Sequence, residues 1–202
     1  FQYPIVEVIT GAIFALLYAL LSQGVFNVFY FLIYLAIFCT LIVVVIYDLK
    51  HKIIPDRLAL AFGALALIVA LGRFSSGEYG SDNLRYLDLA IGPLWFLPFY
   101  ALWKFSGGRW MGLGVGKLAV GIGWLLGFAE SLSAVALSFW IGALWAGLIF
   151  LLQKLMQEPF LREKRLRLTM KSEVPLAPFL VLGTAIIFFT HLDVFSLQAF
   201  GF

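Results

Sequence analysis

Long apolar runs alternate with short polar segments along the whole chain. Seven runs have the length of a helix, and they cover residues at about 5–22, 27–47, 57–73, 86–104, 117–129, 132–155 and 175–192. About 20 helical residues cross the hydrocarbon core of a bilayer. A membrane β-barrel would need alternating polar and apolar residues, whereas stretches such as 41–46 are continuously apolar. The pattern predicts an all-α transmembrane bundle of about seven spans, in which the short fifth run extends or lies partly outside the membrane.

The composition indicates that lipid is the solvent for much of this surface. Of the 202 residues, 63% are hydrophobic and 12% are charged, and the mean hydropathy is +1.01. A soluble domain is about a quarter charged, so this chain lacks the residues that cover a water-facing surface. The net charge of +3 is too small to indicate nucleic-acid binding. Cys39 is the single cysteine, which excludes an internal disulfide, and residues 1–202 are expected to form one domain.

The positive residues are distributed unevenly between the two sets of connections that seven spans create. All of the 14 lysines and arginines except Arg73 and Arg85 fall in one set, which includes the basic segment at 157–173. Connections rich in Lys and Arg stay in the cytoplasm, so the N-terminus is predicted to be cytoplasmic and the C-terminus outside. The chain begins at Phe1 rather than at methionine, which leads us to expect truncation or processing upstream.

Two acidic residues flank the connection between the second and third runs. Asp48 ends the second run, and Asp56 follows Pro55 at the start of the third. Asp56 is placed to cap the third helix, so capping is favoured over catalysis there. Asp48 opposes the helix macrodipole, because a helix C-terminus favours Lys or Arg. This misfit makes Asp48 a candidate functional carboxylate.

A glycine-rich stretch at 106–118 separates the fourth and fifth runs. It contains Gly112, Gly114 and Lys117, and its glycines permit close backbone approach. A phosphate-binding loop is excluded, because that motif needs glycine where Met111 stands. A dinucleotide-binding fold is excluded as well, since no strand precedes these glycines. From the residues alone, the stretch is interpreted as a flexible return of the chain into the membrane, with Lys117 at the interface.

The remaining ionisable residues indicate structure rather than chemistry. Asp88 lies near the start of the fourth run and is expected to be a cap or a buried hydrogen-bond partner. His51 and His191 are predicted on opposite membrane faces, which argues against a shared metal site or a histidine-based triad. The pattern indicates neither a metal centre nor a cofactor.

At these motifs the chain resembles the type IV prepilin peptidases and, more distantly, the archaeal preflagellin peptidases, which are membrane aspartic proteases of the GxGD type. Four stretches match in order: residues 3–7, Asp48 followed by Ile54-Pro55-Asp56, residues 111–118, and residues 175–180. The resemblance covers nearly the whole chain. It implies that Asp48 is one catalytic carboxylate and that position 115 holds the other. It also implies an active-site support formed by Asp56, Gly112, Gly114 and Lys117.

The resemblance implies an aspartic endopeptidase of the bacterial cytoplasmic membrane that uses no cofactor. Its substrate would be a type IV prepilin or pseudopilin, with a basic leader in the cytoplasm and a hydrophobic helix in the bilayer. Gly112 and Gly114 would let an extended substrate segment lie against the backbone. The amino-terminal helix and four-cysteine zinc module that are usual in the family are missing from this chain, so N-methyltransfer is not expected.

Val115 stands where the resemblance places the second catalytic aspartate. Valine can neither donate nor accept a proton, so an inactivated peptidase is expected. The valine arose by deliberate substitution or by natural loss, and the intact glycines and Lys117 favour the former. The alternative function is a membrane protein that binds prepilin-like helices without cutting them. A transporter is disfavoured, because the ionisable residues cluster at helix ends rather than at the bilayer midplane.

Overall fold

The computed structural model describes residues 3–21, 28–76, 82–108, 111–155, 175–192 and 194–195. Within these ranges the chain is helical and contains no β-strand, which confirms the all-α fold class. The helices are α1 (Tyr3–Leu21), α2 (Val28–His51), α3 (Asp56–Ser76), α4 (Asp82–Ser106), α5 (Leu113–Leu126), α6 (Phe128–Leu155) and α7 (Ala177–Thr190). Each helix coincides with one predicted run. The basic segment predicted at 157–173 lies outside the described residues.

The fifth helix begins earlier than its apolar run. α5 starts at Leu113, so residues 113–118 of the glycine-rich stretch are helical. The interpretation of this part of the stretch as a flexible return is therefore wrong, and the expected extension of the short run occurs on its N-terminal side. At the other end, Gly127 alone separates α5 from α6, with a φ of 83° that favours glycine.

α5 lies at the centre of the bundle and packs closely against α3 and α4. A Cβ atom on Gly123 would lie 3.0 Å from the Cα of Gly92 in α4, and one on Gly121 would collide with the ring of Phe62 in α3. Small residues that let helix backbones approach are typical of membrane helix pairs. On the other side of the bundle, α7 packs against α6 and α2, and α1 packs against α2.

Three of these helices are long and apolar enough to cross a membrane. They are Val28–His51, Asp56–Ser75 and Phe128–Leu151, while the shorter apolar helices are Val6–Leu21, Leu113–Leu126 and Ala177–Thr190. A helix of 14 residues, such as α5 or α7, is only about 21 Å long, whereas the hydrocarbon core is about 30 Å thick. Two prolines, Pro93 and Pro98, lie within α4. The seven-span topology and the orientation of the termini remain predictions.

The starts of α4 and α6 meet at one end of the bundle. The Oδ1 atom of Asp88 accepts a hydrogen bond from the backbone N–H of Phe128 at 2.8 Å, so Asp88 caps α6 from a neighbouring helix. This confirms the prediction of a cap or hydrogen-bond partner. At the same helix start, the Oε1 atom of Glu130 lies 3.1 Å from the Nδ1 atom of His191, the residue that follows α7.

Candidate active site

Asp48 lies in the last turn of α2 and is 6% exposed. Its Oδ2 atom accepts a hydrogen bond from the backbone N–H of Ala177, with an N···O distance of 3.2 Å. Ala177 is the first residue of α7, so the carboxylate meets the positive end of that helix. The C-terminus of α2 is unfavourable for an anion, and the N-terminus of α7 offsets this. The unfavourable position of Asp48 in its own helix is therefore compensated by a contact with a distant helix.

The chain turns sharply after Asp48 because Lys52 adopts the left-handed conformation, with a φ of 54°. The N–H of Lys52 donates to the carbonyl oxygen of Asp48 at 2.7 Å and so closes α2, a bond usually made by glycine at this position. A residue with a Cβ in this conformation costs about 1–2 kcal/mol. The adjacent His51 stacks on Tyr47 with ring centroids 4.5 Å apart. His191 lies at the far end of α7, about 21 Å from its start, so the two histidines are at opposite ends of the bundle. That these ends face opposite sides of the membrane stays a prediction.

The connection between α2 and α3 packs directly against the start of α5. A Cβ atom on Gly114 would lie 2.8 Å from the Cβ of Ile54 and 3.3 Å from its carbonyl oxygen. The Ile54 side chain is buried. Gly114 is therefore needed for contact with Ile54. That an extended substrate segment lies against Gly112 and Gly114 stays a prediction. Gly112 differs, because a Cβ there would have no neighbour within 4 Å.

An ion pair joins the same two segments at the surface. The Nζ atom of Lys117 lies 2.6 Å from the Oδ1 atom of Asp56, and their side chains are 30% and 66% exposed. Asp56 is the first residue of α3, and the carbonyl oxygen of Pro55 accepts the first helical hydrogen bond, from Ala59 at 3.1 Å. Pro55 rather than Asp56 thus occupies the cap position. Lys117 is a partner of Asp56, which the sequence did not indicate.

Val115 lies in the first turn of α5 and is 6% exposed. Its N–H donates to the carbonyl oxygen of Gly112, the cap residue of α5, at 3.2 Å. The side chain belongs to the same hydrophobic core as Val44 of α2 and Ala177 of α7. Helices α5 and α7 also pack against each other. Position 115 therefore lies at the same end of the bundle as the end of α2.

Three contacts gather the separated motifs at this end: Asp48 with Ala177, Ile54 with Gly114, and Asp56 with Lys117. A profile described as the type IV leader peptidase family matches residues 35–147, more than half of the chain. The chain belongs to the type IV leader peptidase family. Searches of curated proteins and of solved structures returned no match.

The family match confirms the resemblance seen in the motifs. It contains the carboxyl end of α2, the connection to α3 and the glycine motif at the start of α5, whereas α7 lies outside it. The contribution of Ala177 was missed by sequence reasoning. Pro175 and Pro178 mark the start of a helix there, but no local pattern indicates that its first N–H meets Asp48, 129 residues away.

Among the residues of this site that the structure describes, the buried carboxylate is that of Asp48. At position 115 an isopropyl group faces the core instead. The carboxylate of Asp56 is engaged by Lys117 at the surface. In the part of the chain that the structure describes, no three His, Cys, Asp or Glu side chains converge as ligands of a metal ion. Of the side chains described at this end of the bundle, Asp48 is a buried group able to accept or donate a proton.

Proposed function

We propose that this chain is a prepilin leader peptidase of the aspartic type whose second catalytic carboxylate is replaced by Val115. Its substrate is a type IV prepilin or pseudopilin, cut where the basic leader joins the hydrophobic helix. The contact between Ile54 and Gly114 carries the proposal, because it holds the loop after Asp48 against the helical turn that contains residue 115. The family match supports the peptidase class.

The chemistry requires two carboxyl groups that share one proton. Asp48, when ionised, takes a proton from the attacking water. An aspartic acid at position 115, when protonated, donates a hydrogen bond to the scissile carbonyl oxygen. Val115 supplies neither a proton nor a lone pair, and loss of one catalytic member lowers a rate by orders of magnitude. The chain with Val115 therefore binds its substrate without efficient cleavage.

The membrane arrangement in this proposal follows the positive charges. Lys50, Lys52 and Arg57 are exposed around the turn that follows Asp48. Such clusters favour the cytoplasmic side of a bacterial inner membrane. The substrate leader then approaches from the cytoplasm, and its extended segment passes over Gly112, where the surface is open.

The test is to install the missing acid. Val115→Asp in the full chain, assayed with a prepilin in detergent or membranes, should raise the cleavage rate by about two orders of magnitude or more. A second change, Asp48→Asn, should remove this gain. Val115→Asn is the matched control, because it is similar in size and polar but cannot supply an acidic proton. Equal cleavage by the parent chain, or equal restoration by Val115→Asn, would refute the dyad.

A second function, prepilin binding without cleavage, is favoured by one observation. Val115 is packed into the hydrophobic core, so position 115 is accommodated without an acidic group. For a binding protein, uncut prepilin should copurify with the parent chain. The Val115→Asp variant should then retain the prepilin and still fail to cleave it, which separates this function from the first.

A further inference from the structure

We infer that the start of α7 is a positioning element of the active site: the backbone N–H of Ala177 holds the carboxylate of Asp48 in its working orientation. The inference rests on the proposed function and adds to it a group from a helix outside the family match. Ala177 touches the carboxylate through its backbone, so it acts on the reaction through Asp48.

The electrostatic setting gives this hydrogen bond unusual weight. The first N–H groups of a helix have no partner within the helix, and α7 has no side-chain cap from its own cap residue, Leu176. Pro178, the second residue of α7, has no N–H to offer. Ala177 is fully buried, so water does not replace Asp48 as the acceptor. The N–H of Ala177 therefore has Asp48 as its acceptor, and the carboxylate of Asp48 has this N–H as a donor.

The remainder of α7 fixes where this N–H lies. The ring of Phe188 packs on that of Phe38 in α2 with centroids 5.1 Å apart. A Cβ atom on Gly183 would lie 2.6 Å from the carbonyl oxygen of Ala134, so α7 also touches the backbone of α6. A helix packed on both sides presents its first N–H at a set position. One oxygen of Asp48 is thus anchored, and the other is left for the proton that moves during hydrolysis.

The first experiment tests the hydrogen bond in the chain as it exists, with Val115 in place. Amide exchange at Ala177 is followed by NMR in detergent micelles with nitrogen-15 alanine. Asp48→Ala should accelerate this exchange about tenfold or more, because the acceptor is removed. Asp48→Asn keeps a side-chain oxygen and should leave the exchange slow. Equal exchange in the parent and Asp48→Ala chains would overturn the inference without touching the proposed function.

The second experiment tests positioning in the Val115→Asp chain. Ala177→Pro removes the N–H at the first helical position and should lower kcat about tenfold to a hundredfold with KM within about twofold. Proline also disfavours the αR conformation of the preceding Leu176, with its φ of -89° and ψ of -27°. Ala177→Gly keeps the donor and should retain most of the rate. An amide-to-ester replacement at Ala177 removes the same hydrogen atom with no added ring, so it covers the case in which the proline variant fails to fold.

The outcomes separate the two proposals. A lower kcat in the proline and ester variants, with the glycine variant close to its parent, supports the positioning role. Equal loss in the proline and glycine variants, or parent rates in all of them, overturns it while cleavage by Val115→Asp upholds the peptidase. Absence of cleavage by Val115→Asp itself overturns the proposed function, and the catalytic part of this inference with it.

Discussion

Gly114→Ala tests the contact on which the geometry of the site depends. The added methyl group would lie 2.8 Å from the Cβ of Ile54, whereas carbon atoms in ordinary contact are about 3.5–4.0 Å apart. Either the loop or the first turn of α5 must therefore move by about 0.7–1.2 Å. The nearer obstacles are a branched Cβ and a backbone oxygen, which a rotamer change does not remove.

The magnitude follows from two opposing effects. Overpacking of this size costs about 1–3 kcal/mol. Alanine is about 1 kcal/mol better than glycine within a helix, which offsets part of that cost. We expect a net loss of about 1 kcal/mol in the free energy of unfolding. A displacement of about 1 Å at reacting groups lowers a rate by about a hundredfold. Gly114→Ala should therefore damage cleavage far more than stability.

The assay compares thermal unfolding and prepilin cleavage in the Val115→Asp background. Gly11→Ala is the matched control, because a Cβ on Gly11 of α1 would have no neighbour within 4 Å. That variant should be about 1 kcal/mol more stable and should cleave at the parent rate. Parent stability and parent cleavage in Gly114→Ala would show that Ile54 gives way freely, and would refute the argument that this contact sets the spacing of the site.

Two further changes test the strained turn and the cap between helices. Lys52→Gly should raise the free energy of unfolding by about 1 kcal/mol and the melting temperature by about 2–4 °C, because glycine adopts a φ of 54° without strain. Lys50→Gly is the control: it lies in the helical last turn of α2, so it should lower the stability. An equal gain in both variants would contradict the strain at Lys52. Asp88→Ala should lower the free energy of unfolding by about 1 kcal/mol, because the N–H of Phe128 loses its acceptor. Asp88→Asn keeps an acceptor oxygen and should be more stable than Asp88→Ala. Equal melting temperatures of the two variants would contradict the cap.

The helices could be predicted from sequence because a chain in lipid must satisfy its backbone polar groups internally. Each of the seven apolar runs is a helix in the structure. The start of α5 was misjudged for a definite reason. Glycines at 112, 114 and 116 suggest flexibility when read along the chain, but Gly114 and Gly116 are covered by Ile54 and by Phe96 and Phe99. Their small size serves packing in a helix.

The site could be predicted only in part, because its contacts join distant segments. Asp48 was recognisable from its unfavourable position at a helix end. The N–H of Ala177 that compensates it, and the pairing of Asp56 with Lys117, depend on which helices are neighbours. The apolar runs specify the helices but do not specify which of them are adjacent. Local sequence patterns therefore could not predict which distant residues contact Asp48 and Asp56.

The junction at Gly127 limits how the site can move. A connection of one residue is too short to absorb a displacement, so α5 cannot slide along its axis without moving α6. A residue larger than glycine does not fit at this junction, because its Cβ would lie 2.6 Å from the carboxylate of Asp88. We therefore expect α5 and α6 to move together along the axis of α5. A shift of Val115 along the axis of α5 would therefore move α6 as well.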